Sequence, residues 1–338
     1  MTTHFSRTLG RSGITVSALG FGCWAIGGPW QDSAGKPLGW GEVDDRESVR
    51  AVRRALDLGV VFFDTADCYG TGRSEEVLGR ALKGRREEAV IASKWGNAFD
   101  PATRTMLPEP ELSPGYVRRA LTATLRRLDT DHLDLYQLHI GDAPHGVAEE
   151  LRAVCEELVA EGLIRAYGWS TDLPDRAKVF AAGPHCASVQ LNCNVLEDAP
   201  ELLALCEAEG LAAINRGPLA MGVLTGKYDS APGRGASLAP GDIRAEPPGW
   251  LRYFRDGRLE PRWRERFEAV RDVLTGGGRT PAQGALAWLW ARSPVTVPIP
   301  GIRTVAQAEE NAAAMEHGPL TAEQLSDIRS AAADRPGP

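Results

Sequence analysis

A carboxylate, a phenol, an amine and an imidazole stand at places from which they could jointly deliver a proton to an oxygen. Val60-Val61-Phe62-Phe63 is an apolar run that ends on Asp64, and Tyr69-Gly70 follows five residues later. The run Glu88-Ala89-Val90-Ile91-Ala92-Ser93 ends on Lys94, and His132-Leu133-Asp134-Leu135-Tyr136-Gln137-Leu138 ends on His139. Tyr69 can act as a proton donor if a neighbour lowers its pKa from about 10. A buried Lys94 beside Asp64 keeps its charge through the pair, and a positive charge near Tyr69 favours tyrosinate. His139 can hydrogen-bond a substrate oxygen and fix its orientation. Such a set would protonate an oxygen that gains negative charge, as a carbonyl oxygen does when its carbon receives hydride. The competing explanation for Lys94 and Asp64 is a structural ion pair, which leaves Tyr69 and His139 as coincidences.

The elements that must position these groups alternate. Residues 5–16 read as a β-hairpin turning at Gly10-Arg11-Ser12-Gly13, ahead of a short strand at 17–22. Further strands are expected at 60–64, 88–94, 132–139, 163–169, 187–190, 211–216 and 295–297, each followed by at least one helix. Asp44 and Glu47 have the spacing of a capping box for the first helix, and Ser113-Pro114 opens another with Pro at its first position. Strand–helix alternation implies a parallel sheet, and eight such units favour a closed (β/α)8 TIM barrel, an α/β fold, over an open doubly wound sheet. The expectation is one barrel domain over 1–338, with an N-terminal hairpin (1–16), long C-terminal-face loops including 217–259, and a C-terminal helix and tail (321–338). In such a barrel the strand tips Asp64, Lys94, His139, Ser170, Gln190 and Arg216 converge at the C-terminal face, where active sites sit.

Composition excludes several classes. At 43% hydrophobic and 25% charged, the 338-residue chain lies near the soluble globular average. A net charge of −7 with scattered basic residues speaks against nucleic acid and membrane surfaces as partners. Six cysteines with no CxxC pair read as reduced thiols in the cytoplasm. His185-Cys186 and Cys193 lack the paired spacing of a zinc site, so no metal is expected. No secretory signal and no apolar run of about 18 residues is seen. Gly20-x-Gly22-x-x-Ala25 mimics a dinucleotide fingerprint, but Gly27-Gly28-Pro29 follow where a helix should open, so a Rossmann turn is rejected.

Across nearly its whole length the sequence resembles the aldo-keto reductase superfamily, in particular its bacterial-type branch. Phe63-Asp64-Thr65-Ala66-Asp67-Cys68-Tyr69-Gly70 resembles the second-strand motif, and Ala92-Ser93-Lys94-Trp95-Gly96 and Asp134-Leu135-Tyr136-Gln137-Leu138-His139 resemble the lysine and histidine strands. The resemblance implies a tetrad in which Tyr69 is the general acid, Lys94 lowers its pKa, Asp64 pairs with Lys94, and His139 orients the carbonyl. It implies NADP(H) bound across the barrel mouth, with Gly22, Cys23, Trp24 and Asp64 against the cofactor. Ser170, Thr171 and Gln190 are implied at the nicotinamide carboxamide. Arg216, Gly217, Pro218, Leu219, Met221, Gly222 and Lys227 are implied around the pyrophosphate, and Gly301, Arg303, Gln307, Glu310 and Asn311 around the adenosine end. The residues agree with that clamp: Gly301 permits close backbone approach, Arg303 offers a bidentate phosphate fork, and Gln307, Glu310 and Asn311 share a helix face.

The sequence departs from the family pattern at Thr171, often Asn; at Cys193, often aromatic; and at Arg216, where many members stack an aromatic on nicotinamide. Trp24, Trp30, Trp40, Trp95, Phe99 and Tyr253 fall in mouth loops and are expected as pocket walls for a small-molecule carbonyl substrate. The competing function is an NADPH-holding regulatory module like the potassium-channel beta subunits. A barrel aldolase or metal hydrolase lacks its ligand pairs or phosphate loop here.

Overall fold

The inward–outward alternation of eight short strands sets the architecture. The computed structural model describes residues 5–228 and 238–333. Its main sheet runs in chain order through Gly20–Gly22, Phe62–Asp64, Val90–Trp95, Leu133–Leu138, Ile164–Ser170, Cys186–Asn192, Ala212–Arg216 and Thr296–Pro298. Every adjacent pair is parallel. The ring closes through a parallel bridge between Gly22 and Gly301, where Gly22 N donates to Pro300 O at 2.9 Å. A side chain at Gly22 has no room, since a Cβ there would lie 2.7 Å from Ile299 O. The eight-stranded parallel barrel expected from the alternation is therefore the observed fold.

Local sequence signals start the helices. Pro fills the first turn of Pro114–Leu128, Pro174–Ala181, Pro200–Glu209, Pro261–Thr275 and Pro281–Arg292, where its missing N–H costs nothing. Asp44 caps Asp45–Asp57 by accepting from Arg46 N at 2.8 Å. The expected capping box does not close. Glu47 instead reaches across the fold and accepts from Val305 N at 2.8 Å, capping the Val305–His317 helix. That long-range partner outcompetes a local bond because the two helices pack side by side.

Two apolar cores follow from the strand parity. Phe62, Ala92, Leu135, Ala166, Ala212, Ile214 and Val297 point into the barrel, and Leu9, Ile14 and Val16 from the N-terminal hairpin plug its bottom. The opposite parity, including Phe63, Ile91, Trp95, Tyr136, Leu138, Tyr167, Trp169 and Val189, packs against the helices. The hairpin pairs Ser6–Thr8 with Thr15–Ser17.

The mouth loops lock together. Trp40 bridges Asp242, Ile243 N donates to Gly39 O at 2.8 Å, and Gln31 bridges both Pro37 and Thr105. The long 217–259 connection carries a 3-10 turn at Ala220–Thr225 and a small hairpin pairing Phe254–Arg255 with Arg258–Leu259. Residues 229–237 of that connection, with 1–4 and 334–338, lie outside the described residues. No helix among the described residues is long and apolar enough to cross a membrane.

Candidate active site

Strand parity delivers the chemistry to one place. Asp64 and Lys94 share the inward parity of Phe62 and Ala92, so both side chains rise into the mouth above the inner core. Tyr69 arrives on the turn after its strand, a Tyr69–Gly72 segment with left-handed Gly70 (φ 60°) and Thr71 (φ 56°). A Cβ at Gly70 would meet Gly27 O at 1.9 Å, so only glycine lets this turn pack and present the phenol.

The Lys94 ammonium uses all three of its protons. It donates to Asp64 Oδ1 at 2.5 Å, to Thr65 O at 2.7 Å and to Tyr69 OH at 3.3 Å. Lys94 is 0% exposed and Asp64 2%, so the pair is fully desolvated. Burial pulls the ammonium down, but Asp64 and Tyr69 outweigh it and hold it above its ordinary value. Burial pushes the Tyr69 phenol up to about 12; Lys94 opposes this and Asp64 reinforces it. Lys94 therefore acts on the phenol in the expected direction, yet desolvation is the larger effect.

His139 meets Tyr69 edge-on, with ring centroids 5.8 Å apart. Burial, then the charges of Lys94 and Arg216, holds the imidazole well below its ordinary pKa, so the ring is neutral. Cys68 Sγ lies 3.7 Å from His139 Nδ1. Burial keeps that thiol protonated, so it can donate to Nδ1, leaving the ring proton on Nε2 for a substrate oxygen. Cys68 was not singled out from the sequence, because nothing local marks a cysteine as a histidine partner.

The implied nicotinamide contacts divide. Ser170 and Gln190 are buried at the inner mouth, and no hydrogen bond among the described residues engages Ser170 Oγ. Gln190 Nε2 donates inward to Asp64 Oδ2 at 2.8 Å. Thr171 is occupied structurally: its hydroxyl donates to Gly141 O at 2.6 Å and accepts from Leu173 N. The Cys23 side chain lies in the outer core, where Sγ donates to Phe21 O at 3.6 Å, and its backbone carbonyl accepts from Ser74 Oγ at 2.9 Å. Arg216 pairs with Asp172, which also accepts from Asn192 N at 2.7 Å. Cys193 is buried against Asp198 and takes no part in the mouth.

Downstream, Gly217, Pro218 and Leu219 lead into a run of left-handed backbone at Ala220 (φ 47°), Met221 (φ 54°) and Gly222 (φ 93°). Arg244, missed by sequence reasoning because a lone loop arginine carries no local mark, rivets this segment. It is 5% exposed, pairs with Asp242, and donates to Met221 O at 3.0 Å and to Tyr228 OH. Its guanidinium lies 4.7 Å over the Trp40 ring. Lys227 feels Arg244 and Arg303; burial first, then these cations, brings its amine down to about 8.

At the adenosine end, Arg303 Nη1 donates to Trp40 O at 3.3 Å, and Arg303 N donates to Gln307 Oε1 at 3.0 Å. Thr304 caps the helix through Gln307 N. Glu310 is exposed, Asn311 is buried on the same helix, and Glu309 is engaged by Arg54 at 2.8 Å. Gly301 is not sterically required by the protein, since a Cβ would touch only Ala25 Cβ at 3.7 Å; Gly22 is the tight position.

The expected pocket walls are only partly at the mouth. Trp24 stacks over Tyr69 at 6.1 Å and meets Trp40 at 5.1 Å. Trp95 is a correction: it faces outward against Tyr136 at 4.4 Å, because it follows Lys94 by one residue and strand side chains alternate. Tyr253 is also corrected. It is buried under the long loop, packed on Trp263 and bonded to Asn194 and Glu197. Trp30 is buried, its carbonyl accepting from Leu38 N at 2.9 Å, and Phe99 borders an outer cleft with Arg80 and Arg126. Trp250, not singled out from the sequence, is 60% exposed and lies 6.3 Å from Trp24. Among the described residues no group of His, Cys, Asp and Glu could hold a metal ion.

A parallel eight-stranded barrel with a buried Asp–Lys–Tyr group and a histidine at its C-terminal mouth defines a class of oxidoreductase. The chain belongs to the Aldo/keto reductase family, whose model matches residues 18–333. It is 30% identical over 325 residues to YqkF, an uncharacterized oxidoreductase of Bacillus subtilis (strain 168), covering 96% of this chain and 95% of that protein. The holo form of aldo-keto reductase AKR11C1 from Bacillus halodurans matches with a TM-score of 0.75 and 30% identity, covering 97% of this chain and 96% of that one. An aldo/keto reductase from Klebsiella pneumoniae, solved in complex with NADP and acetate, matches with a TM-score of 0.69 and 25% identity over 99% of this chain and 97% of that one.

Proposed function

We propose that this protein reduces an aldehyde or ketone to the alcohol with NADPH, using Tyr69 as general acid. The observation that carries the reading is the ammonium of Lys94, which spends one proton each on Asp64, Thr65 O and Tyr69 OH in a desolvated pocket. A bound NADPH supplies hydride to the carbonyl carbon. Tyr69 gives its proton to the carbonyl oxygen, and Lys94 stabilises the tyrosinate that remains. His139, neutral, donates from Nε2 to the same oxygen and so fixes which face of the carbonyl is presented. Asp64 keeps Lys94 charged.

On this reading Gly22, Trp24, Ser170, Gln190, Arg216 and the 217–222 segment would line the bound cofactor. Lys227, Arg303, Gln307, Glu310 and Asn311 provide cations and polar groups for its phosphates and adenosine. The deciding experiment follows NADPH absorbance with a panel of aldehydes and ketones for wild type and Tyr69→Phe. Wild-type turnover that falls about 10²–10⁴-fold in the variant, with NADPH binding retained, is expected. Tight NADPH binding with no turnover of any carbonyl would favour the regulatory-module alternative.

A further inference from the structure

Asp64 is held by more than Lys94. Its Oδ1 faces the ammonium, while Oδ2 accepts from Gln137 Nε2 at 3.1 Å and from Gln190 Nε2 at 2.8 Å. Gln137 Oε1 also accepts from Gln190 Nε2 at 3.3 Å. Gln137 is 0% exposed and sits inward on its strand, directly beside Lys94 in the sheet register. A buried amide is costly unless bonded, and this one spends its bonds on the carboxylate and on the neighbouring amide.

We propose that Gln137 is a positioning residue for proton transfer: by pinning Asp64 Oδ2 it keeps the third N–H of Lys94 directed at Tyr69. This rests on the reduction proposed above. The ammonium has three protons, and the bond to Tyr69 is the longest of its three at 3.3 Å. A carboxylate free to turn would present both oxygens to Lys94, and the longest bond is the first to be lost. The carboxylate charge, no longer shared with the Gln137 amide, would also screen more of the ammonium's field from Tyr69. The phenol then becomes a weaker acid, so reduction slows.

The test uses the full chain carrying Gln137→Met, which keeps the shape and removes the donor, and Gln137→Glu. For Gln137→Met we expect kcat to fall about tenfold across neutral pH, with carbonyl KM and NADPH Kd within about twofold. A protonated Glu side chain donates as the amide does and an ionised one cannot. Gln137→Glu should therefore be active only on the acid side, a profile that loosened packing would not produce. A readout free of turnover is the ¹⁵Nζ resonance of Lys94, assigned by its loss in Lys94→Met. The shift that Tyr69→Phe causes in this resonance should shrink when Gln137→Met is also present. Wild-type kcat in Gln137→Met, an unmoved pH profile in Gln137→Glu and an undiminished resonance response would overturn the proposal. If wild type turns over no carbonyl, the proposed reduction fails, and the resonance response alone still decides the role of Gln137. If Gln137→Met does not fold, the pH profile and resonance of Gln137→Glu decide it.

Discussion

Replacing Lys94 by Met should cost more stability than replacing Asp64 by Asn. Lys94→Met leaves a carboxylate that is 2% exposed without its cation. Breaking a buried pair in this way costs about 3–5 kcal/mol. Here the carboxylate keeps two amide donors, Gln137 at 3.1 Å and Gln190 at 2.8 Å, which places the cost at the lower end. At about 2.1 cal/mol/K of unfolding entropy per residue, a 338-residue chain shifts by roughly 1.4 °C per kcal/mol, so a loss of about 3 kcal/mol is a fall of about 4 °C in Tm. Asp64→Asn keeps an acceptor for Lys94, but its new amide N–H would face the amide N–H groups of Gln137 and Gln190. Both glutamines can turn their Oε1 inward, and the Lys94 ammonium, left without its anion, still has three neutral oxygens to donate to, Asn Oδ1, Thr65 O and Tyr69 OH, so the expected cost is about 1–2 kcal/mol, below that of Lys94→Met. The assay is thermal unfolding followed by circular dichroism, with calorimetry for the enthalpy, on protein free of nucleotide. Equal melting temperatures for the two variants, or a Lys94→Met variant as stable as wild type, would refute the view that the stranded carboxylate is the costlier of the two buried charges.

Four further outcomes are expected. Because burial holds Tyr69 up to about 12, its acid form persists through neutral pH. The reduction rate should stay flat there and fall only as pH rises toward that value; a basic limb near neutrality in the kcat profile would contradict this. Arg303→Ala should reduce the preference for NADPH over NADH by roughly 10–150-fold, since hydrogen bonds to charged groups contribute about 1.5–3 kcal/mol; an unchanged ratio of kcat/KM for the two cofactors removes Arg303 as the phosphate reader. Lys227, brought down to about 8, gains charge beside a phosphate, so NADPH affinity should be full below that pH and weaken above it, and a pH-independent Kd from fluorescence titration would show the amine to be uninvolved. Gly22→Ala puts a Cβ 2.7 Å from Ile299 O and 3.0 Å from Pro300 O, so the barrel seam must shift at a cost of about 1–3 kcal/mol in urea unfolding, and a neutral result would mean the seam is pliable.

The parts legible in the sequence were those decided within a few residues. Apolar runs ending on Asp64, Lys94 and His139 placed the strand tips, and Pro or Ser at helix starts placed the helices, because propensity, capping and period-two alternation are local. The same alternation turns Trp95, one residue beyond Lys94, away from the mouth, against the expectation that it walls the pocket. Other features depended on which distant groups the closed barrel brings together. Glu47 had a plausible local role and instead serves a helix 258 residues away. Gln190 was implied at the cofactor and turns its amide to Asp64 across 126 residues. Trp250 reaches Trp24, and Arg244 reaches Met221 and Trp40, through a loop without periodic signal. Strand parity tells which face a side chain takes, but a hydrogen-bond partner is set by the register and closure of the sheet, which bring residues of unrelated sequence position within about 3 Å.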